Sequence, residues 1–419
     1  MDILSLVFLI VAVVLGFTKK MNVGFIAMGL SLILGKLGGI SDKAIIAGFS
    51  SSTFVSLLGI TFWFAIINQT GVVDLLAKKA VAMSSKTSWA VPFMVMALGF
   101  IVSYMGPGAV PATIVPILSI PLAYEMGVNP MLYCLPGFTG LVAGRISPFT
   151  PEGVYMADLG AAQGHSANLV SYVTINGIVL SLVCTLAVFI FYKGWVKPEK
   201  EYKMSDLPKF DTKQKICLLS ILAMVVMVVG FSISTPLACL LIGVILLVMG
   251  IGSEKETIRT MPWGTMVLVS GVSLLMNVVN ELEGITLLSN MLTSIMSVKT
   301  SAGIMGITAG MMSWFSSSFG VVFPTLMPTV PDIVQSFGGS ISGAPMLSAI
   351  AFGASIAGIS PFSSGGSMCI SAMSVDSRFD DSQTNKVFIE FFIWAVVFLA
   401  ITAVLGFLGI FDILAAAIM

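Results

Sequence analysis

Long apolar runs alternate along the chain with short polar segments that carry most of the charged residues. A helix needs about 20 residues to cross the roughly 30 Å hydrocarbon core of a bilayer. Runs of about this length therefore predict membrane-spanning helices. They lie near 3–17, 22–40, 53–68, 130–160, 168–192, 214–230, 235–251, 265–280, 344–375 and 387–413. The pattern predicts an all-α integral membrane protein with five transmembrane helices in each half.

Two further apolar stretches, 88–124 and 302–336, are interrupted in the middle by residues that break helices. The interruptions are Gly106-Pro107-Gly108 and Ser318-Phe319-Gly320. Non-helical backbone at membrane depth is tolerated only where protein or a polar cavity surrounds it. We therefore interpret both stretches as re-entrant hairpins whose tips lie near a binding site.

The two halves share a sequence repeat. A shift of 212 residues superposes Gly59 on Gly271, Asn68 on Asn280, Gly108 on Gly320 and Pro116 on Pro328, and Ser147-Pro148-Phe149 returns as Ser360-Pro361-Phe362 at a shift of 213. Because five crossings is an odd number, the second half must enter the membrane from the opposite side. The chain is predicted to contain two inverted repeats, 1–192 and 214–419, joined by a cytoplasmic linker at 193–213.

Each Ser-Pro-Phe motif interrupts a predicted transmembrane helix. In transporters built from inverted repeats, broken helices meet near the midplane, where half-helix N-termini offer N–H groups to anions. Hydroxyl groups beside the prolines add donors that suit carboxylate oxygens. The motifs therefore predict a transporter with an anion site formed by the hairpin tips and helix breaks. The predicted substrate-binding residues are Gly106, Pro107, Gly108, Arg145, Ser147, Pro148, Phe149, Thr150, Ser318, Phe319, Gly320, Ser360, Pro361, Phe362 and Ser363.

Arg145 is the one basic residue predicted to lie inside the membrane, where an ionised side chain is costly and demands a reason. It binds a substrate carboxylate bidentately, pairs internally with Glu152 or caps the first half-helix from its C-terminal side. Glu152 in turn binds sodium, carries a proton, completes that salt bridge or is a solvated end of the break. Ser147 and Ser360 either contact substrate or cap half-helices. The predicted ion-binding residues are Ser103, Glu152, Ser316, Ser317, Ser364 and Gly365.

Composition supports a membrane location, since 57% of residues are hydrophobic and 10% are charged. With both termini outside, most Lys and Arg residues fall in cytoplasmic loops, as the positive-inside rule requires. The formal net charge is zero, which gives no reason to expect nucleic acid as a partner. The five cysteines show no paired spacing, and the single histidine, His165, falls in a predicted outer loop where it would be solvated. We see no nucleophile beside a histidine base and no filter-like motif, so a membrane enzyme or an ion channel is less favoured.

The segments Leu58-Gly59-Ile60-Thr61-Phe62 and Gly71-Val72-Val73-Asp74-Leu75, together with the paired breaks, resemble the MatC-type dicarboxylate (malonate) carriers. That family belongs to the ion transporter superfamily, which also contains the divalent-anion/sodium symporters. The resemblance implies a homodimeric elevator transporter, commonly driven by sodium. We expect a location in the bacterial cytoplasmic (inner) membrane and no organic cofactor. It also implies two half-sites around one small organic anion. The sodium-dicarboxylate symporters carry Ser-Asn-Thr at both tips, and this chain differs there. The alternative is a proton-coupled carrier or ion antiporter that uses Glu152.

Overall fold

The helices of the computed structural model begin and end close to the limits that hydropathy predicts. The structure describes residues 1–19, 21–73, 75–76, 79, 88–105, 109–196, 208–231, 233–314, 316–361, 363–374 and 384–413, and their regular structure is helical throughout. The first half contains α1 (Asp2–Lys19), α2 (Val23–Leu37), α3 (Asp42–Ala47), α4 (Ser51–Gln69), α5 (Val91–Met105), α6 (Ala109–Glu125), α7 (Met131–Gly144), α8 (Pro151–Ala162) and α9 (Leu169–Phe191). The second half contains α10 (Thr212–Val225), α11 (Thr235–Val248), α12 (Glu254–Thr260), α13 (Trp263–Glu281), α14 (Gly284–Ser294), α15 (Ser301–Ser313), α16 (Phe323–Leu326), α17 (Val330–Ser336), α18 (Gly343–Ile356), α19 (Ser364–Ser374) and α20 (Thr384–Phe407).

Polar residues and prolines set several helix starts. The Asn22 side chain accepts a 2.8 Å hydrogen bond from the backbone N–H of Gly24 at the start of α2. Asp211 and Gln214 form a reciprocal capping box at the start of α10. These side chains satisfy N–H groups that the first helical turn leaves without partners. The few polar residues between the hydrophobic runs therefore determine where these helices begin.

Helix limits recur along the chain at a spacing of 212 residues. The matched starts are Val23 and Thr235, Asp42 and Glu254, Ser51 and Trp263, and Met131 and Gly343. The spacing becomes 213 at Pro151 and Ser364, where α8 and α19 begin. The segment between α18 and α19, 357–363, is therefore one residue longer than the segment between α7 and α8, 145–150. The two halves thus follow the same element order, including the short helices α3 and α12, which hydropathy alone did not predict.

Helices of each half cross helices of the other, because α2 packs on α13 and α4 packs on α11. At the first crossing, a Cβ atom on Gly271 would lie 2.1 Å from the carbonyl oxygen of Gly24. At the second, a Cβ atom on Gly59 would lie 2.4 Å from the carbonyl oxygen of Pro236. Glycine allows backbones in a membrane protein to approach this closely. The residues of the two crossings are repeat mates, so the contacts are reciprocal.

Two more helix pairs hold the elements that carry the breaks. α5 packs on α7, and α15 packs on α18. A Cβ atom on Gly140 would lie 1.9 Å from the carbonyl oxygen of Met96, and one on Gly353 would lie 2.2 Å from that of Gly306. The arm of each predicted hairpin is therefore in backbone contact with the first part of a broken helix in the same half.

Three described helices are long and apolar enough to cross a membrane on their own: Leu169–Phe191, Trp263–Glu281 and Asn385–Phe407. The other predicted spans correspond to shorter apolar helices. The predicted spans 130–160 and 344–375 are each two helices separated by a break. The second arm of the predicted hairpin 302–336 is divided as well, into a π turn at Ser318–Val322, α16, a 3₁₀ turn at Met327–Thr329 and α17. Prolines at 324, 328 and 331 explain this division, since each removes a helical donor.

Candidate functional site

The first break, residues 145–150, is organised by the hydroxyl of Thr150. This hydroxyl donates to the carbonyl oxygen of Arg145 at 2.7 Å and accepts from the backbone N–H of Gly153 at 3.2 Å. Thr150 is thus the N-cap of α8, and Pro151 occupies the first helical position, where its missing N–H costs nothing. The sequence offered two roles for Ser147, substrate contact and helix capping. In the structure Thr150 caps α8, and Ser147 does not.

The second break, of which residues 360, 361 and 363 are described, has matching hydrogen bonds. The Ser363 hydroxyl donates to the carbonyl oxygens of Gly358 and, at 2.8 Å, of Ser360. In both breaks a glycine then lies against the serine of the Ser-Pro-Phe motif. A Cβ atom would lie 1.7 Å from the Ser147 carbonyl oxygen at Gly153 and 2.2 Å from the Ser360 carbonyl oxygen at Gly366. The two motifs therefore encode the same backbone turn.

Arg145 and Glu152 form an ion pair across the first break, with Nε of Arg145 2.9 Å from Oε1 of Glu152. Of the roles that the sequence left open for Arg145, this conformation contains the internal pair with Glu152. The Glu152 side chain is 4% exposed and the Arg145 side chain is 25% exposed. The other carboxylate oxygen, Oε2, is buried and has no hydrogen-bond partner among the described residues. A buried carboxylate oxygen without a donor is costly, so this oxygen is a place where a proton or cation would be stabilising.

The position of Glu152 differs from the expectation. The sequence predicted that Glu152, Ser364 and Gly365 lie within the breaks. In the structure Glu152 lies in the first turn of α8, while Ser364 and Gly365 lie in the first turn of α19. The reason is local: Pro151 is compatible with the start of a helix, and the capping hydroxyl comes one residue before it. The carboxylate therefore stands at the positive end of the α8 dipole.

The first break contacts the first hairpin arm. The Ser147 hydroxyl donates to the carbonyl oxygen of Tyr104 at 2.6 Å, and the rings of Tyr104 and Phe149 meet edge to face with centroids 5.7 Å apart. Ser103, one residue earlier, is buried in α5. The tip residues Gly106, Pro107 and Gly108 lie outside the described residues, and their predicted roles stay predictions.

The second predicted tip, of which residues 314 and 316–320 are described, contacts the helix that follows the first break. The Ser317 hydroxyl accepts from the N–H of Gly320 at 3.0 Å, and the Ser316 hydroxyl donates to the carbonyl oxygen of Met312 at 2.7 Å. Ser318 begins the π turn. The buried ring of Phe319 meets that of Tyr155 in α8 edge to face at 5.8 Å. The second tip and the first break therefore belong to one region.

The second break lies beside the helix that leaves the first tip, because α19 packs on α6. Pro361 is buried, Phe362 lies outside the described residues, and the Ser364 side chain is not described. The hydroxyls of Ser147, Thr150 and Ser363 all donate to backbone carbonyls in this conformation. Their assignment to substrate binding stays a prediction, as does that of the other listed residues.

Sequence reasoning missed several residues that hold the first break. The Thr235 hydroxyl in α11 donates to the carbonyl oxygen of Pro148 at 3.0 Å, and the Thr174 hydroxyl in α9 donates to that of Ile146. Tyr104 and Tyr155 supply the ring contacts. The sequence gives little indication of these residues, because each is a threonine or tyrosine within or at the end of an apolar helix. His165 also differs from expectation, because it lies half-buried against Gly343 in place of being solvated.

The fold is similar to those of solved membrane transporters. The crystal structure of the Alcanivorax borkumensis YdaH transporter superposes with a TM-score of 0.62 at 12% identity, covering 98% of this chain and 98% of that one. The Neisseria gonorrhoeae MtrF structure, described as illuminating a class of antimetabolite efflux pumps, gives a TM-score of 0.53 at 12% identity over 86% of this chain and 82% of that one. At this identity the likeness concerns the fold, which is that of a multi-pass helical transporter.

The family follows from the sequence itself. Residues 8–353 match the model of the citrate transporter family, CitMHS. The chain therefore belongs to the CitMHS citrate transporter family and is a secondary transporter of the membrane. A search of curated proteins gives no significant match. The membership agrees with the superfamily that the sequence resemblance indicated, although it does not single out the malonate carriers.

Proposed function

We propose that this protein is a secondary-active carrier of a small organic anion, a dicarboxylate of the kind carried by MatC-type malonate carriers, coupled to a cation gradient. The observation that carries the proposal is the Arg145–Glu152 pair at the first break. An arginine and a buried carboxylate at the start of a half-helix, beside both hairpins, supply one group for an anion and one for a cation. Family membership supports a carboxylate substrate.

We further propose an inverted-repeat architecture. The matched helix limits and the reciprocal crossings of α2 with α13 and of α4 with α11 support it, since reciprocal contacts are what a two-fold relation between copies produces. In an elevator mechanism these crossings would form the fixed scaffold. The moving unit would contain α5 to α9 and α15 to α20, with the re-entrant tips and breaks.

The coupling cation is proposed to be sodium, bound near Oε2 of Glu152. The same atom favours a second candidate, a proton-coupled carrier, because protonation of Oε2 would remove the buried negative charge that no described residue stabilises there. The inner-membrane location with both termini outside and the absence of an organic cofactor are part of the proposal and rest on the sequence. The homodimer is also proposed and rests on the family resemblance.

Uptake into proteoliposomes tests this function. Radiolabelled malonate, succinate and citrate would be offered under an inward sodium gradient at equal pH, or under an inward proton gradient without sodium. We expect saturable, sodium-driven uptake that is lost in Arg145→Gln. The matched control is Arg259→Gln, because Arg259 forms an exposed ion pair with Glu256 at 2.6 Å, far in the sequence from either break.

Glu152→Gln separates the two coupling ions. If sodium drives uptake, this variant needs a higher sodium concentration for half-maximal rate, and pH has little effect. If protons drive uptake, the variant loses accumulation but retains exchange of internal for external substrate. Glu256→Gln serves as the matched exposed control. Uptake of none of the three anions under either gradient would contradict the proposed substrate class.

A further inference from the structure

The guanidinium of Arg145 forms a hydrogen bond through one of its edges only, among the residues that the structure describes. Its Nε donates to Glu152, and its two terminal nitrogens make no hydrogen bond within the part of the chain that the structure describes. The Arg145 side chain is 25% exposed. The edge formed by its two terminal nitrogens carries two parallel N–H groups, matches a carboxylate in geometry and is therefore available to a ligand.

The second half offers no counterpart to this group. The position that matches Arg145 is Ala357 at a spacing of 212 or Gly358 at a spacing of 213, and the repeat mate of Glu152 is Gly365. Residues 314–322 and 357–367, which contain the second tip and second break, include no ionisable side chain. The first half-site therefore contains an arginine and a glutamate, whereas the second contains uncharged side chains only.

We propose that the site binds its anion by one end. One carboxylate meets the free edge of Arg145 bidentately, and the other end of the anion meets neutral donors of the second tip and break. Glu152 acts as a positioning residue, because its bond to Nε fixes the plane of the guanidinium. This inference rests on the proposed function and deepens it: the carrier requires one carboxylate strictly and tolerates an uncharged hydrogen-bonding group in place of a second.

Neutralisation of the arginine by Glu152 has a second consequence. An Arg145 without a partner in a site of low dielectric would bind any anion, chloride included. Paired through Nε, it presents little net charge, so affinity depends on the two-point geometry that a carboxylate provides and a spherical ion does not. Selectivity for carboxylates over chloride is therefore assigned to this pair.

Calorimetric titration of the purified full-length protein in detergent, at saturating sodium, tests the proposal. The ligands are succinate, its half-amide succinamate and its diamide succinamide, with the same series built on malonate or citrate if succinate does not bind. For the wild type we expect succinamate to bind within about tenfold of succinate, and succinamide to bind more than about tenfold more weakly than succinamate. In Arg145→Gln the difference between succinamate and succinamide should disappear.

Two substitutions of Glu152 test whether it positions the Arg145 guanidinium or only stabilises the fold. Glu152→Gln retains an oxygen that accepts from Nε, so it should keep the preference for succinamate over succinamide; Glu152→Ala should lose most of it. Arg145→Lys keeps the charge without the fork and should recover less than half of the logarithmic preference. Arg259→Gln should leave all affinities unchanged, and the elution volume of each variant reports its fold.

The outcomes are distinct. An unchanged succinamate preference in folded Arg145→Gln would overturn the one-ended site while leaving an anion carrier in place. Equal losses for succinamate and succinamide relative to succinate in the wild type would also overturn it, since both carboxylates would then be read by charge. If the wild type binds and transports no carboxylate of any series, the proposed function itself fails.

Discussion

The Thr235 hydroxyl donates a hydrogen bond of 3.0 Å to the carbonyl oxygen of Pro148. Thr235 is the first residue of α11, so this bond ties a helix of the second half to the break in the first half. Proline and the turn around it leave that carbonyl without a helical partner. The position equivalent to Thr235 in the first half is Val23, which has no hydroxyl, so the tie exists on one side of the repeat.

Removal of this hydrogen bond should destabilise the protein. Thr235→Val keeps the shape of the side chain and leaves the Pro148 carbonyl oxygen unpaired, which should lower the free energy of unfolding by about 1 kcal/mol. Thermal unfolding in detergent measures the change. Thr18→Val is the matched control, because the Thr18 hydroxyl bonds within its own exposed helix. Equal effects of the two substitutions would show that the bond between the halves contributes nothing.

The backbone crossings should not tolerate a methyl group. In Gly271→Ala the new Cβ would lie 2.1 Å from the Gly24 carbonyl oxygen, so α2 and α13 must separate. We expect a loss of about 1–3 kcal/mol in the free energy of unfolding, as for other overpacked sites. Gly29→Ala, in α2 with nothing within 4 Å of its Cβ, is the control and should be neutral or slightly stabilising. A stable Gly271→Ala variant would contradict the close crossing.

The glycines that follow the two breaks should be needed for transport. Gly153→Ala and Gly366→Ala would each place a Cβ against a serine carbonyl oxygen of the Ser-Pro-Phe motif. The turn must then open, which displaces Glu152 in the first case and the start of α19 in the second. We expect each variant to lose more than about tenfold in uptake rate, as small misplacements of a site do. If only Gly153→Ala affected uptake, the second break would be structural.

The free energy of unfolding of the protein should depend on pH through His165. Burial against the rest of the protein lowers the pKa of His165 below its usual value. The unfolded chain then takes up a proton near pH 6.5 that the folded chain binds only at lower pH, so stability falls as pH drops through 6.5 towards the lowered pKa. The unfolding temperature of the wild type should drop more between pH 8 and pH 5.5 than that of His165→Gln. Identical pH profiles would refute a role for this histidine.

Much of the fold could be predicted from the sequence, because apolar run length sets helix length in a bilayer and prolines and glycines mark the breaks. Gly59 and Gly271, which the repeat paired, prove to be the crossing points of the two halves. The side-chain partners could not be predicted. Whether Arg145 reaches Glu152, and whether the Ser147 hydroxyl reaches Tyr104, depends on tertiary contacts that leave no periodic signal. Ser147, Thr150 and Ser363 lie at the breaks, and the backbone carbonyls that their hydroxyls bond could not be predicted from the sequence.

The exchange of partners between α2, α4, α11 and α13 bears on how the chain is assembled. Each half leaves the tightest neighbours of these helices in the other half, so neither half is a self-sufficient folding unit despite the repeated element order. Expressed as separate polypeptides, residues 1–192 and 214–419 should accumulate only when both are made in the same cell. During biosynthesis α2 and α4 enter the membrane before α13 and α11 are made. Lipid would then contact the surfaces around Gly24 and Gly59 until the second half is translated and packs against them.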